Sequence, residues 1–277
     1  MAVIRMKWRN RSFSALAVSL VTIFSAFANE DPEITFFISE KMVARYTLSK
    51  LKKELKSKTI TYFDPFFEKQ KCYEAFPLRT LFELAFGPSW RNSDYSDVIF
   101  EALDGFESPA KVSKMEEDGG YVAFRDPDVP AWELIGHKKM NPGPFYLFWT
   151  GKDQTAANEY PWTWQLASIK LVKFEEQYPK VVPKGAKEDS STWRGYEIFK
   201  GQCVRCHAMD QQGGKIGPDL NAPQGIVAYR PKKMIKAFIK EPSKFRYTHM
   251  PDHPHFSERD LDDLVAYFEF QSKRSKE

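Results

Sequence analysis

The stretch that decides the fold is Cys203-Val204-Arg205-Cys206-His207. Two thiols separated by two residues can add to the two vinyl groups of a haem, and a histidine directly after them is then held under the iron. The alternatives are a redox dithiol or half of a zinc site. A zinc site would need a second ligand pair, and Cys72 is the one further cysteine. A thioredoxin-like dithiol would follow a strand, whereas a helical pattern precedes this motif. The context therefore favours haem.

The amino terminus predicts export. Its basic start holds Arg5, Lys7, Arg9 and Arg11, and an apolar run over residues 13–28 ends in Ala26-Phe27-Ala28. Such an order is typical of a signal peptide, predicted here as residues 1–28 with cleavage after Ala28. The alternative is a retained membrane anchor, but the run is slightly short and ends in small residues. Because bacterial haem attachment takes place outside the cytoplasmic membrane, we expect a periplasmic protein.

The charge balance changes when the leader is removed. The whole chain has 41 basic and 37 acidic residues, and four of the basic ones lie in residues 1–28. The predicted mature chain is therefore neutral, which gives no reason to expect nucleic-acid binding. No other apolar run is long enough to cross a membrane, so we expect no stable membrane span after cleavage.

The predicted domain order is a signal peptide (1–28), an amino-terminal domain (29–176), a linker (177–190) and a carboxy-terminal domain (191–277). The boundary is set by the stretch QYPKVVPKGAKEDSS at Gln177–Ser191, which contains prolines, a glycine and charged residues without apolar periodicity. Short alternating segments rich in aromatic residues precede it, and helical patterns follow it.

The carboxy-terminal patterns predict an all-α domain. Ser191 or Thr192 is the expected cap of the first helix, and Ala228–Lys240 has the spacing of a helix stopped by Pro242. Gly217–Asn221 predicts a turn and Thr248–Pro251 an extended loop. Ser257 is expected to begin a last helix.

These segments resemble a class I cytochrome c. The resemblance rests on Gly195-Tyr196 with Phe199 before the cysteine motif, on Gly217-Pro218-Asp219-Leu220, on Met250-Pro251 and on Leu264-Val265-Ala266-Tyr267-Phe268. It implies one haem c held by Cys203 and Cys206, with His207 and Met250 as the axial ligands of the iron. It also implies that Pro218 supports His207 by packing, that the first and last helices cross near Gly195 and Tyr267, and that the domain transfers single electrons.

The sixth ligand has rivals. Met209 is too close to His207 in sequence to reach the other side of the ring, and Met234 lies on a helical stripe typical of a core. Three histidines flank Met250 and would give a bis-histidine haem of lower potential: His249, His253 and His255.

A basic run covers Arg230–Arg246, which contains seven basic residues and one acidic residue, Glu241. One interpretation is a solvated helix face. The other is a docking surface for an acidic redox partner, or for the chain's own acidic first domain.

The amino-terminal patterns predict an α+β or mostly β domain. Period-two segments with intervening turns indicate strands at 34–38, 41–46, 59–63, 98–103, 121–124, 144–149 and 166–174. The stripe of apolar residues from Leu78 to Phe86 indicates a helix.

This order resembles, in a degenerate form, the molybdopterin-binding domain of the sulfite oxidase family. The matching stretches are Tyr46–Leu48, Phe76–Phe82, Ala102–Phe106, Tyr121–Phe124, Gly143–Leu147 and Trp164–Ile169. Family enzymes bind molybdenum through a cysteine at the end of a strand, but the corresponding strand Thr59–Asp64 has none. Cys72 falls later and is expected to be a buried free thiol. We therefore expect a cofactor-free domain that serves in binding or docking.

The leading hypothesis is a periplasmic mono-haem electron carrier whose amino-terminal domain is a docking or scaffold module, rather than a self-contained enzyme. The alternative is a molybdopterin-dependent oxidoreductase that passes electrons to its own haem. A third hypothesis, a haem sensor or ligand binder, would need an open sixth site on the iron.

Overall fold

The computed structural model describes residues 31–136, 139–248 and 250–274, and the predicted leader lies outside them. The amino-terminal part is mostly β-sheet. Its strands are β1 (Glu33–Ile38), β2 (Lys41–Thr47), β3 (Lys58–Asp64), β4 (Lys69–Pro77), β5 (Asp97–Ala102), β6 (Glu107–Lys111), β7 (Gly120–Arg125), β8 (Tyr146–Trp149) and β9 (Leu166–Val172). Its helices are α1 (Leu48–Glu54), α2 (Leu78–Phe86) and α3 (Phe174–Gln177).

The strands form two sheets. The order in the first is β2-β1-β9-β5-β6, in which β1 and β9 are parallel and the other neighbours are antiparallel. The second is antiparallel in the order β3-β4-β7-β8. Alternate residues of the first sheet face different cores. Val98 and Phe100 lie in the core that also contains α2, whereas Ile99 faces the carboxy-terminal part.

The carboxy-terminal part is helical. It contains α4 (Ser191–Ile198), α5 (Ile226–Tyr229), α6 (Lys232–Lys240) and α7 (Glu258–Arg274), with a small β-ladder of β10 (Ala208–Met209) and β11 (Gln212–Gly213). A single π turn, Phe199–Cys203, continues α4 into the cysteine motif. No helix in the described ranges has both the length and the apolar character needed to cross a membrane.

Two details of the predicted helices are corrected. The predicted helix Ala228–Lys240 is divided into α5 and α6 because Pro231 has no N–H to donate and disfavours helical backbone in the residue before it. The cap of α4 is Ser190, whose hydroxyl accepts a hydrogen bond from the Trp193 N–H at 3.2 Å, and not Ser191 or Thr192.

Two strands of the amino-terminal part were not predicted from the sequence, and both have a physical reason; the two-residue strands β10 and β11 were not predicted either. Strand β4 contains Lys71, which is 3% exposed and therefore breaks the apolar alternation that identifies a strand. Its ammonium group is paired with Asp126 at 2.5 Å and Glu133 at 2.7 Å, and both partners are distant in sequence. Strand β6 contains Pro109, which is typical of an edge strand, and β6 is the last strand of its sheet.

The segment predicted as a linker, 177–190, is packed rather than extended. Tyr178, Val181 and Val182 are buried in the core of the carboxy-terminal part. Side chains of α7 also hold its carbonyl groups. Tyr267 Oη donates to Val181 O at 2.7 Å, Gln271 Nε2 to Lys180 O at 2.7 Å, and Arg274 Nη1 to Val182 O at 2.6 Å. Residues 31–277 consequently form one compact unit.

Candidate haem site

The cysteine motif forms a tight turn at the end of α4. The N–H groups of Cys206 and His207 both donate to Cys203 O, at 3.0 and 2.9 Å, so the two thiols lie on one turn of backbone. Neither cysteine is in a disulfide. Burial raises the pKa of the Cys203 thiol to about 12 and also raises that of Cys206. A redox dithiol requires a thiol of lowered pKa, so this environment does not suit one.

His207 is held in one tautomer. Its Nδ1 lies 2.7 Å from Pro218 O, and because a carbonyl can only accept, Nδ1 carries the hydrogen. The lone pair of Nε2 is then available for a metal, and burial lowers the pKa of the ring, which favours the neutral form that binds metals. Pro218 therefore acts on His207 through its carbonyl oxygen.

Gly217 lies against the imidazole of His207. A Cβ atom at this position would be 2.5 Å from Cε1 and 2.7 Å from Nδ1 of the ring. Real Cβ atoms essentially never approach this closely, so any other residue would displace His207. The Gly-Pro pair thus performs two tasks, because the glycine makes room for the ring and the proline carbonyl orients it.

These residues fit a covalently bound haem. The groups available are two neutral thiols, Cys203 and Cys206, and the oriented imidazole of His207. Gly217 leaves the space that this imidazole occupies. Arg205, between the two cysteines, has its Nε buried without a hydrogen-bond partner among the described residues. A buried donor of this kind is available for a polar group of a bound molecule.

Met250 is half-buried and packs against the core of the helical part. Its N–H donates to Thr248 Oγ1 at 3.1 Å, which fixes the loop. Met209 is 1% exposed within that core, and Met234 is 44% exposed on α6.

The histidine rivals differ in how they are held. The ring of His253 is buried, with Nδ1 at 3.2 Å from Ile239 O, and it is stacked on Phe256 at 5.0 Å. His255 contacts the same phenyl ring edge-on at 4.5 Å. His249 lies outside the described residues. Met250 therefore remains our prediction for the sixth ligand.

The first and last helices cross where the resemblance predicted. A Cβ on Gly195 would lie 2.0 Å from Asp263 O and 2.9 Å from Tyr267 Cβ, so only a glycine allows α4 and α7 to approach this closely. Arg194 ties the crossing with a bidentate pair to the buried carboxylate of Asp263, at 2.7 and 2.8 Å. This crossing supports the turn that carries the cysteines.

Most positive charges of the basic run Arg230–Arg246 are neutralised by ion pairs. Four of its seven basic residues pair with carboxylates, three of them with α7: Lys232 with Glu269, Lys236 with Asp262 and Glu258, Lys240 with Glu258, and Lys244 with Glu241. Arg230, Lys233 and Arg246 have no acidic partner in the described ranges. Exposed aromatic side chains lie beside them in sequence at Tyr229, Phe245 and Tyr247.

The end of β3, the strand for which the sequence resemblance led us to look for a metal-binding cysteine, holds a buried acid. Asp64 is fully buried and its Oδ2 accepts hydrogen bonds from the hydroxyls of Tyr62 (2.7 Å), Tyr73 (3.3 Å) and Tyr146 (3.1 Å). Tyr62 also stacks on Phe148 at 4.6 Å. Cys72 is half-buried and, because strand residues alternate, faces away from Tyr73. These residues do not fit a thiolate-bound metal.

The sequence did not indicate this cluster. Tyr73 and Tyr146 lie 9 and 82 residues from Asp64, and the pairing of β3, β4, β7 and β8 brings them together. Each tyrosine alone is indistinguishable from an ordinary strand residue.

The haem-binding turn contacts the amino-terminal part, which the sequence also did not indicate. Lys200 pairs with the buried Asp97, and its ammonium lies 4.4 Å from the ring centre of Phe174. Gln202 Nε2 donates to Ala157 O at 2.9 Å. The carboxylate of Glu159 lies over Gly201, where a Cβ would meet Oε1. The attachment site is therefore fixed against the sheet.

Comparison with protein families finds a similarity in the carboxy-terminal part. The family described as cytochrome c oxidase, cbb3-type, subunit III matches residues 191–268, about a quarter of the chain. No curated protein matches the chain to a significant degree. Within the described ranges, no three side chains of His, Cys, Asp or Glu converge in a way that would hold a metal ion.

Proposed function

Since the carboxy-terminal part of the chain is a c-type cytochrome domain, we propose that the protein is a periplasmic mono-haem cytochrome that transfers single electrons between redox partners. When bound, the haem supplies an iron that changes its charge by one while little else moves. Cys203 and Cys206 would attach it, and His207 and Met250 would bind its iron. The observation that carries the proposal is the oriented imidazole of His207 beside two thiols, with Gly217 and Pro218 shaped to it.

The protein's own residues prepare this site in three ways. The Pro218 carbonyl holds a hydrogen on Nδ1 of His207 and leaves Nε2 free to bind. Apolar side chains of the surrounding core, among them Leu220, Ile235 and Ile239, exclude water and favour the less charged reduced state. Met250, as a soft ligand, would raise the reduction potential relative to a second histidine and would close the iron to small molecules.

The amino-terminal part is proposed to be a rigid scaffold related to the sulfite oxidase family that has lost its cofactor. The Asp64 cluster supports this proposal, since the hydroxyls of Tyr62 and Tyr146 donate to a buried carboxylate at the end of β3 and this strand contains no cysteine. Its fixed contacts with Lys200 and Gln202 support a role in presenting the haem domain to partners in one orientation.

The remaining charges of the basic run suggest where a partner docks. Arg230, Lys233 and Arg246 lie beside Tyr229, Phe245 and Tyr247, which gives an apolar and aromatic surface with three unneutralised positive charges. Interfaces with this composition suit a transient acidic partner. We expect the rate of electron transfer to fall as ionic strength rises, and a rate independent of salt would remove this docking surface from the proposal.

Metal and mass analysis of the purified protein tests the function. We expect one iron per chain, a mass increased by one covalent haem, and no stoichiometric molybdenum. Carbon monoxide is expected to leave the reduced spectrum unchanged, because Met250 would occupy the sixth position of the iron. Stoichiometric molybdenum would establish the enzymatic alternative, and a polypeptide of unmodified mass would contradict the cytochrome itself.

A further inference from the structure

The carbonyl groups at the end of α6 lack their usual helical donors. In an α-helix each carbonyl accepts a hydrogen bond from the N–H four residues later. For Ile239 and Lys240 these N–H groups belong to residues 243–244, which donate elsewhere because Pro242 ends the helix. Two carbonyls of the last turn are therefore left for donors from another part of the chain.

His253 supplies both donors. Its backbone N–H donates to Lys240 O at 2.9 Å, and its Nδ1 lies 3.2 Å from Ile239 O. Because a carbonyl can only accept, Nδ1 carries the hydrogen. The ring is buried and stacks on the core residue Phe256, with the ring centres 5.0 Å apart. His253 thus caps α6 from a segment that is distant in sequence, and its ring cannot turn without losing these contacts.

Asp252 fastens the same segment from the solvent side. Its carboxylate accepts hydrogen bonds from the N–H of Ser243 at 3.1 Å and from the hydroxyl of Ser243 at 2.7 Å. These two bonds are exposed, so each is weaker than the buried bond of the His253 ring. We call Asp252 and His253, together with their partners Ile239, Lys240 and Ser243, the α6 clasp.

The α6 clasp restricts the position of Met250, which lies three residues before His253. A chain spans at most about 3.6 Å per residue, so the Cα atom of Met250 stays within roughly 11 Å of that of His253. Pro251, between them, restricts the backbone further because its ring fixes φ. On the other side, the N–H of Met250 donates to Thr248 Oγ1 at 3.1 Å. The clasp therefore limits where the thioether of Met250 can lie relative to the helices.

We infer that His253 is a positioning residue for the sixth iron ligand, because it holds the loop of Met250 on the end of α6. The inference rests on the proposed function, in which Met250 binds the iron. The histidine that the sequence offered as a rival ligand thus supports Met250, since the hydrogen on its Nδ1 is used to cap α6. Without the clasp the loop would leave its place more often, and the sixth position would open to small molecules.

The variant His253→Ala in the haem-loaded protein tests the inference. We expect the haem to stay covalently attached, because attachment depends on the cysteines and not on this loop. The methionine-to-iron charge-transfer band of the ferric protein should weaken. At a fixed concentration of carbon monoxide, the fraction of reduced protein that binds it should rise about tenfold, since the lost bond and ring contact no longer favour the closed loop.

Two further variants separate the donated hydrogen bond from other effects of the ring. His253→Asn keeps an N–H donor near the position of the imidazole Nδ1, so it is expected to restore most of the band. His255→Ala removes a histidine that contacts the same ring of Phe256 edge-on at 4.5 Å. This control is expected to behave like the unmodified protein.

The exposed half of the clasp gives a second test that does not disturb the core. Asp252→Ala removes both bonds to Ser243 and is expected to increase the binding of carbon monoxide by less than His253→Ala does. Asp260→Ala is the matched control, because Asp260 accepts the same pair of bonds from Ser257, at the start of α7. It is expected to leave the band unchanged. Asp252→Ala decides the question if His253→Ala does not fold.

Three results would overturn the inference. The first is an unchanged band and no carbon monoxide binding in His253→Ala, and the second is an equal effect of His255→Ala. The third is a bis-histidine spectrum of the unmodified protein that disappears in His253→Ala, which would make this ring the iron ligand. A methionine-ligated haem that ignores residue 253 contradicts this inference alone. A protein without covalent haem contradicts the proposed function, and the inference with it.

Discussion

Lys200 Nζ lies 3.0 Å from Asp97 Oδ1 and joins the haem-binding turn to the sheet of the amino-terminal part. The Asp97 side chain is 2% exposed and also accepts a hydrogen bond from Ser96 Oγ at 2.6 Å. Lys200 lies three residues before Cys203, and Asp97 is the first residue of β5. The pair therefore links the proposed haem-attachment turn to the five-stranded sheet. Together with the shared apolar core, it joins the two parts into one compact unit.

Loss of this pair is expected to destabilise both parts at once. Asp97→Ala leaves the ammonium of Lys200 half-buried without its partner, and we expect a loss of about 3 kcal/mol in the free energy of unfolding. Denaturant unfolding measured by tryptophan fluorescence and by the Soret absorbance should give coincident midpoints. The control Arg125→Ala breaks the exposed pair with Glu74 and is expected to cost less than about 1 kcal/mol. Separate transitions for the two signals would contradict the shared core.

The glycine at the helix crossing is expected to be irreplaceable. Gly195→Ala places a Cβ 2.0 Å from the Asp263 carbonyl oxygen, and backbone cannot rotate away as a side chain can. We expect a loss of about 3 kcal/mol, measured by denaturant unfolding. Gly201→Ala is the control, because the nearest atoms to the new Cβ belong to the flexible end of the Glu159 side chain, which can move away. Equal losses in the two variants would show that the crossing does not constrain residue 195.

Gly217 makes room for the imidazole of His207, so its replacement is expected to change the haem spectrum. Gly217→Ala would push the His207 ring away from Pro218 O, so we expect covalently attached haem with weakened proximal ligation. The reduced spectrum should then respond to carbon monoxide. Gly201→Ala is the matched control, since its new Cβ meets only the flexible end of Glu159. An unresponsive Gly217→Ala spectrum would mean that the ring tolerates the methyl group.

The sixth ligand is tested by removal of the thioether. Met250→Ala is expected to abolish the methionine-to-iron charge-transfer band at the red end of the ferric spectrum while the haem stays attached. Met234→Ala, at an exposed position, is expected to keep the band. Persistence of the band in Met250→Ala would move the ligand to another residue.

Glu107 predicts a pH dependence of stability. Burial raises the pKa of its carboxyl above the ordinary value of 4.5, although Tyr178 Oη donates a hydrogen bond to it. The folded protein thus holds the proton more tightly than the unfolded chain, and this stabilisation is present below about pH 4.5 and is lost as pH rises through the folded pKa. Glu107→Gln should therefore be more stable than the unmodified protein at neutral pH. In chemical denaturation the difference should shrink toward acid pH, and a constant difference would refute this assignment.

The sequence predicted most strands of the amino-terminal part and the first and last helices of the carboxy-terminal part, because such local features depend on neighbouring residues. The cysteine motif and Gly217-Pro218 lie in short turns, and most strand positions follow from alternation alone. Strand β4 was missed because Lys71 occupies a core position that becomes tolerable only with Asp126 and Glu133 beside it. The polar composition of 177–190 predicted a linker, but the carbonyl partners on α7 that hold it are distant in sequence.

By itself, the order of residues from Gly195 to His207, with Met250 downstream, predicts the chemistry of the site, since thiol attachment and ligation need specific atoms at short spacing. Only the tertiary structure decided which basic side chains are paired with carboxylates and which are not. Helix α7 neutralises most lysines of the Arg230–Arg246 run, whereas the lysines of α1 meet no carboxylate in the described ranges. Ion pairing acts over a few ångströms in space, and sequence separation carries no information about that distance.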